Sequence, residues 1–115
     1  MSLKTVLYHN PRCSKSRQTL ALLEAQGITP SIVEYLKEGI DAETLTGIVG
    51  MLQLDASVLL RKKEEAYAES GLTETSTSAQ IIAAIVNNPV ILERPIVVHG
   101  DRAALGRPPE NILKI

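Results

Sequence analysis

The chain has one cysteine, no phenylalanine, no tryptophan and only three tyrosines among its 115 residues. A single cysteine excludes an intramolecular disulfide and suggests a reducing compartment, with the cytoplasm as the default. Scarce aromatics leave little for stacking single-stranded bases. A net charge of −1 argues against nucleic acid as a main partner. No apolar run approaches the length of a membrane span, and the N-terminal residues lack the charged-then-apolar layout of a signal peptide. One cysteine and two distant histidines make a poor zinc set. A phosphate-binding P-loop is absent. The sequence thus predicts no bound metal or cofactor.

What is present is aliphatic. Apolar residues make up 44% of the chain, almost all of them Leu, Ile, Val and Ala, enough for a core of branched side chains. The length fits a single domain over 1–115. Thr5–Tyr8 reads as a strand and Ser16–Gln26 as a helix stopped by Gly27 and Pro30. Ser31–Leu36 reads as a second, parallel strand closing a β-α-β unit. Lys37-Glu38-Gly39 reads as a turn, and Asp41 is placed to cap a helix through Leu52. Ala56–Ser70 is helical in composition but broken near Arg61-Lys62-Lys63. Thr77 and Gln80 form a capping-box pattern for a helix to Asn87, ended by Asn88-Pro89. Pro95–His99 and Arg102–Leu105 read as a hairpin around Gly100-Asp101, and Pro108-Pro109 opens a short C-terminal helix. The order is β-α-β, a helical insertion, then β-β-α: an α/β, thioredoxin-like layout with a mixed four-stranded sheet.

Cys13 lies in the turn between the first strand and the first helix. Free backbone N–H groups and the positive end of the helix dipole gather there. Arg12, Lys15 and Arg17 add positive charge of the kind that lowers a thiol pKa from ~8.5 toward ~7 or below. A lone cysteine is often a small buried hydrophobe, but polar, basic and proline neighbours set this one outside any apolar run. It reads as a nucleophile. Position 16, where two-cysteine oxidoreductases carry their second thiol, is Ser16, so an adduct on Cys13 must be released by an external thiol. A tyrosine-phosphatase loop would need its arginine where Thr19 stands, and Arg17 comes too soon. Arg61, Arg94 and Arg107 each stand at an element boundary, where loops converge at one end of an α/β sheet. Their planar forks suit tetrahedral oxyanions. Taken singly, each is more often a solubilising surface charge, as Arg12, Lys62, Lys63 and Arg102 are read.

Several segments together carry a resemblance: His9-Asn10-Pro11 before Cys13, Ser16-Arg17-Gln18-Thr19-Leu20, Leu59-Leu60-Arg61-Lys62, Glu93-Arg94-Pro95-Ile96-Val97-Val98 and Gly106-Arg107-Pro108. In this order they resemble the glutaredoxin-coupled arsenate reductases and their thioredoxin-like relatives, over nearly the whole chain. The resemblance implies Cys13 as nucleophile, Arg61, Arg94 and Arg107 as oxyanion ligands, and His9 and Ser16 as residues that help keep the thiol ionised. For His9, hydrogen bonding that shapes the loop is an equal alternative. It also implies Pro95 as a cis-proline candidate facing the cysteine. Arg12 and Ser14-Lys15 depart from the small residues expected around such a cysteine. The activity implied is arsenate reduction to arsenite, with glutathione as co-substrate and glutaredoxin as partner. Two rivals are a glutathione-linked thiol oxidoreductase without oxyanion specificity and a redox-related regulatory module that binds RNA polymerase. Ser16 removes the two-cysteine motif that disulfide-sensing regulators need, and a disulfide substrate does not require three guanidinium groups.

Overall fold

The computed structural model describes residues 4–93 and 95–114. Contacts along the chain group into two units, Met1–Glu38 with Arg94–Ile115, and Gly39–Glu93.

The first unit contains the whole sheet. Strand β1 (Thr5–Tyr8) alternates buried and half-buried positions, as a strand with one covered face should. It leads through Cys13 into helix α1 (Ser14–Ala25) and then to β2 (Ser31–Val33). Strands β3 (Ile96–His99) and β4 (Arg102–Leu105) complete a sheet of order β2-β1-β3-β4. β1 and β2 are parallel, as their helical crossover requires, and the other two pairings are antiparallel. The hairpin turns at Gly100-Asp101, where Gly100 has φ +63° and His99 pairs with Arg102. Glycine at the first central position suits the twist of a two-residue hairpin. A 3-10 helix (Pro109–Lys114) packs on α1 and β4. The core here is Leu7, Leu23, Val97 and Ile112, with Leu20, Leu22, Ile28 and Ala104 packed against it.

Some boundaries differ from those the sequence predicts. Helix α1 starts at Ser14, two residues earlier than expected, because the Cys13 carbonyl already accepts the Arg17 N–H at 3.0 Å. The second strand ends at Val33, and Tyr35–Glu38 is a short helix, α2, where the sequence suggested strand and turn. The Glu34 carbonyl accepts the N–H groups of Lys37 and Glu38, and the Glu38 carboxylate takes the Glu34 N–H at 2.9 Å. Local bonds therefore win over strand extension at this point. The C-terminal segment is 3-10, with Asn111 N–H donating to the Pro108 carbonyl at 3.0 Å.

The second unit is helical. Asp41 caps α3 (Ala42–Leu52) through the Thr44 N–H. The break near Arg61 falls between a 3-10 turn (Ala56–Leu59) and α4 (Glu65–Glu69). Thr77 and Gln80 close both bonds of the capping box ahead of α5 (Ser78–Asn87). Buried Ile81, Ile82 and Ile85 line one side of α5, which packs on α3 and on the 3-10 turns at Ala56–Leu59 and Pro89–Ile91. Among the described residues no helix is long and apolar enough to cross a membrane.

Candidate active site

The sheet register brings one set of strand ends together. Tyr8, the last residue of β1, pairs with Ile96, and Ile96 pairs with Leu105, the last residue of β4. The loops leaving β1 and β4 therefore start at the same end of the sheet, on either side of β3. The first carries Cys13 and the second carries Arg107.

Cys13 is the N-cap of α1, with extended backbone angles and a half-buried side chain that accepts no capping bond. No acidic residue sits in the first turn of the helix, so the dipole acts on the sulfur unopposed from that turn. The loop is shaped by its own polar groups. The Asn10 carbonyl accepts the Cys13 N–H at 2.9 Å, and the Asn10 side-chain oxygen accepts the Arg12 N–H at 3.0 Å. Ser16 is fully buried, and its Oγ accepts the Asn10 N–H at 3.3 Å. Arg17 reaches back to donate to the Pro11 carbonyl at 3.0 Å. Ser16 thus ties the loop to the helix.

His9 is buried, and its backbone N–H donates to the Val33 carbonyl at 2.9 Å. Its Nδ1 has no hydrogen-bond partner among the described residues. Burial pushes its pKa below the ordinary 6.5; Glu34 opposes that shift and Arg17 adds to it. A lowered pKa favours the neutral ring at neutral pH. Beside it a groove of about 250 Å³ is lined by His9, Asn10, Arg12, Glu34 and Lys37, with Pro11 and Leu36 as its apolar part.

Arg107 meets the cysteine: its Nη2 lies 3.7 Å from Sγ, an N–H···S contact that favours thiolate over thiol. Its placement depends on Gly106. A Cβ at Gly106 would lie 2.5 Å from Thr19 Oγ1 and 2.6 Å from Pro95 Cγ, so only glycine lets the chain leave β4 this close to α1. The Gly106 N–H donates to the Pro95 carbonyl at 2.9 Å. Pro95 is buried, while Arg94 and the Arg94–Pro95 bond lie outside the described residues. Among those described, the cis peptide bond is Arg107–Pro108.

Arg61 belongs to the second unit. Its Nε lies 3.6 Å from Glu64 Oε1, its backbone N–H donates to the Ile91 carbonyl, and its buried Nη1 has no partner among the described residues. Within one unit the structure thus sets Arg107 against Cys13, with Ser16 bonding the cysteine loop and Pro95 packed on Gly106. It also shows roles that sequence reasoning did not assign: Asn10 as organiser of the loop, Thr19 and Gly106 as a close-packed pair, and Asn111, whose amide donates to the Arg107 carbonyl at 2.9 Å. For Asn10 a signal was present, since Asn-Pro is a turn-forming dipeptide.

Comparison with known proteins places this geometry in a family. Residues 8–115 match the model of the ArsC family. The chain is 46% identical to the Escherichia coli K12 protein YfgD, over all of this chain and 98% of that one. It is 43% identical to an arsenate reductase of Haemophilus influenzae, covering 98% of this chain and 99% of the relative. A solved arsenate reductase of Vibrio cholerae superposes with a TM-score of 0.94 at 43% identity, over 100% of this chain and 99% of that one. With its mixed four-stranded sheet and helices, the fold is the thioredoxin-like one of these neighbours, and the chain belongs to the ArsC family.

Proposed function

We propose that the protein is an arsenate reductase that uses Cys13 as its nucleophile, with glutathione as co-substrate and glutaredoxin as its partner. The contact between Arg107 and the Cys13 sulfur at a helix N-terminus carries the reading. It joins a stabilised thiolate to a guanidinium that can hold an incoming anion. The like charges of thiolate and arsenate would otherwise repel. The same oxyanion role for Arg61 and Arg94 is proposed on the family resemblance.

The Cys13 sulfur attacks arsenic(V), and a protonated arsenate oxygen leaves as water, giving a thiol–arsenate ester. The glutathione thiol then attacks the Cys13 sulfur. A disulfide forms between them, the S–As bond breaks, and its electron pair stays on arsenic, which leaves as arsenite. Glutaredoxin accepts the glutathionyl group and returns Cys13 to the thiol. An external thiol is required because this chain has no second cysteine. The groove beside His9 offers Arg12, Lys37 and Glu34, charges of both signs suited to a zwitterionic tripeptide. The chemistry fits a reducing, glutathione-supplied compartment such as the cytoplasm.

The test is NADPH oxidation coupled through glutathione reductase, glutathione and glutaredoxin, with arsenate compared against phosphate, sulfate and a glutathione mixed disulfide. Arsenate-dependent turnover that disappears in Cys13→Ser is the expected result. Turnover of the mixed disulfide alone would replace this reading with the glutathione-linked thiol oxidoreductase.

A further inference from the structure

We propose that Asn111 is a positioning residue for Arg107, fixing the main chain that carries the guanidinium to the Cys13 sulfur. The inference rests on reading Arg107 as the cation that serves the thiolate. Arg107 stands on a short connection between Leu105, the end of β4, and the 3-10 helix that begins at Pro109. Upstream, the connection is held by Gly106, through its bond to the Pro95 carbonyl and its close packing on Thr19. Downstream, two consecutive prolines follow. Neither has a backbone N–H, so neither can tie the loop down by donation.

Asn111 supplies what the prolines lack. Its Nδ2 donates to the Arg107 carbonyl at 2.9 Å, and its own backbone N–H donates to the Pro108 carbonyl at 3.0 Å. One residue therefore holds two successive carbonyls of the loop. Its neighbour Ile112 is 3% exposed and sits in the core cluster with Leu7, Leu23 and Val97. Asn111 thus links the arginine loop to the buried core of this unit. The guanidinium lies at the end of a long flexible side chain, so a small rotation of the Arg107 peptide becomes a larger displacement at Nη2. An N–H···S contact of 3.7 Å tolerates little of that.

The experiment measures Cys13 alkylation by iodoacetamide as a function of pH in the full chain. The proteins are wild type, Arg107→Ala, Asn111→Ala, Asn111→Leu and the Arg107→Ala/Asn111→Ala double variant, each checked for the wild-type circular dichroism spectrum. Leucine keeps the branched four-atom shape of the asparagine side chain without its hydrogen-bonding groups, and keeps the test valid if alanine loosens the turn. Asparagine and both replacements are uncharged, so a changed titration reports movement of charges already present. Arg107→Ala is expected to raise the thiol midpoint. Each Asn111 variant should raise it by about 0.5 pH unit, a roughly 3-fold slower alkylation well below the midpoint. In the double variant Asn111→Ala should add nothing to Arg107→Ala. A shift with Arg107→Ala but none with either Asn111 variant overturns the positioning role alone. An equal Asn111 effect with and without Arg107 overturns it too, since the amide would then act by another route. No shift with Arg107→Ala itself removes the underlying reading of Arg107, and the Asn111 proposal falls with it.

Discussion

Arg107 Nη2 lies 3.7 Å from Cys13 Sγ, although 94 positions separate the two residues in the chain. Two antiparallel pairings bring them together. Tyr8 faces Ile96 and Ile96 faces Leu105, so the first and last strands deliver their following loops to the same end of the sheet. A thiol at a helix N-terminus acquires a guanidinium by topology.

Replacing Arg107 by lysine keeps the charge but removes the planar fork. Catalytic efficiency with arsenate should fall at least ~10-fold, equivalent to ~1.4 kcal/mol of transition-state binding. The Cys13 midpoint should stay below that of an ordinary thiol. Full activity in the lysine variant would mean that Arg107 supplies only a positive field and does not orient the anion.

Gly106 and Thr19 make a paired prediction about stability. An alanine at 106 has no room beside Thr19 and Pro95, and should cost about 1–3 kcal/mol in urea unfolding. Thr19 Oγ1 is buried without a hydrogen-bond partner among the described residues. Thr19→Val, which keeps the shape and removes that hydroxyl, should therefore be neutral or stabilising by up to about 1 kcal/mol. A loss of stability in Thr19→Val would show that the hydroxyl is satisfied in solution.

The buried His9 ring should titrate below 6.5 in the folded protein, because burial disfavours its charged form. Since the folded state then binds fewer protons than the unfolded chain, stability is unaffected above the unfolded value. It falls as pH drops from about 6.5 toward the folded pKa. NMR titration of the imidazole gives the midpoint directly, and His9→Gln should flatten the loss of stability across that window. A midpoint at or above 6.5 would contradict the lowering by burial, and a midpoint well above ~7 would make His9 a source of positive charge for the thiolate.

Much of this was legible in the sequence where the signal is local. Capping needs only neighbouring residues, so Asp41 and the Thr77–Gln80 box could be read directly, as could the Gly100-Asp101 hairpin. Cys13 at the helix start followed from a strand, a turn and a helix in succession. What stayed hidden depends on contacts between distant segments. The close approach of Gly106 to Thr19 and Pro95 leaves no mark on any one of the three. The Asn111 bond to Arg107 is short in sequence but depends on the 3-10 geometry of the segment that follows the two prolines. The run from Ser31 to Leu36 misleads because Ile32, Val33 and Tyr35 favour strand, whereas the bonds around Glu34 close a helical turn. For Arg61 the sequence offered a boundary position, and the structure adds an ion-pair distance to Glu64 and an Nη1 with no hydrogen-bond partner among the described residues.

The most direct measurement is intact-mass spectrometry of the protein mixed with arsenate and glutathione, with glutaredoxin omitted. The account predicts a single glutathionyl adduct, mapped to Cys13, that forms only when arsenate is present and in step with released arsenite. An adduct that accumulates equally without arsenate, or arsenite released with Cys13 unmodified throughout, would contradict it.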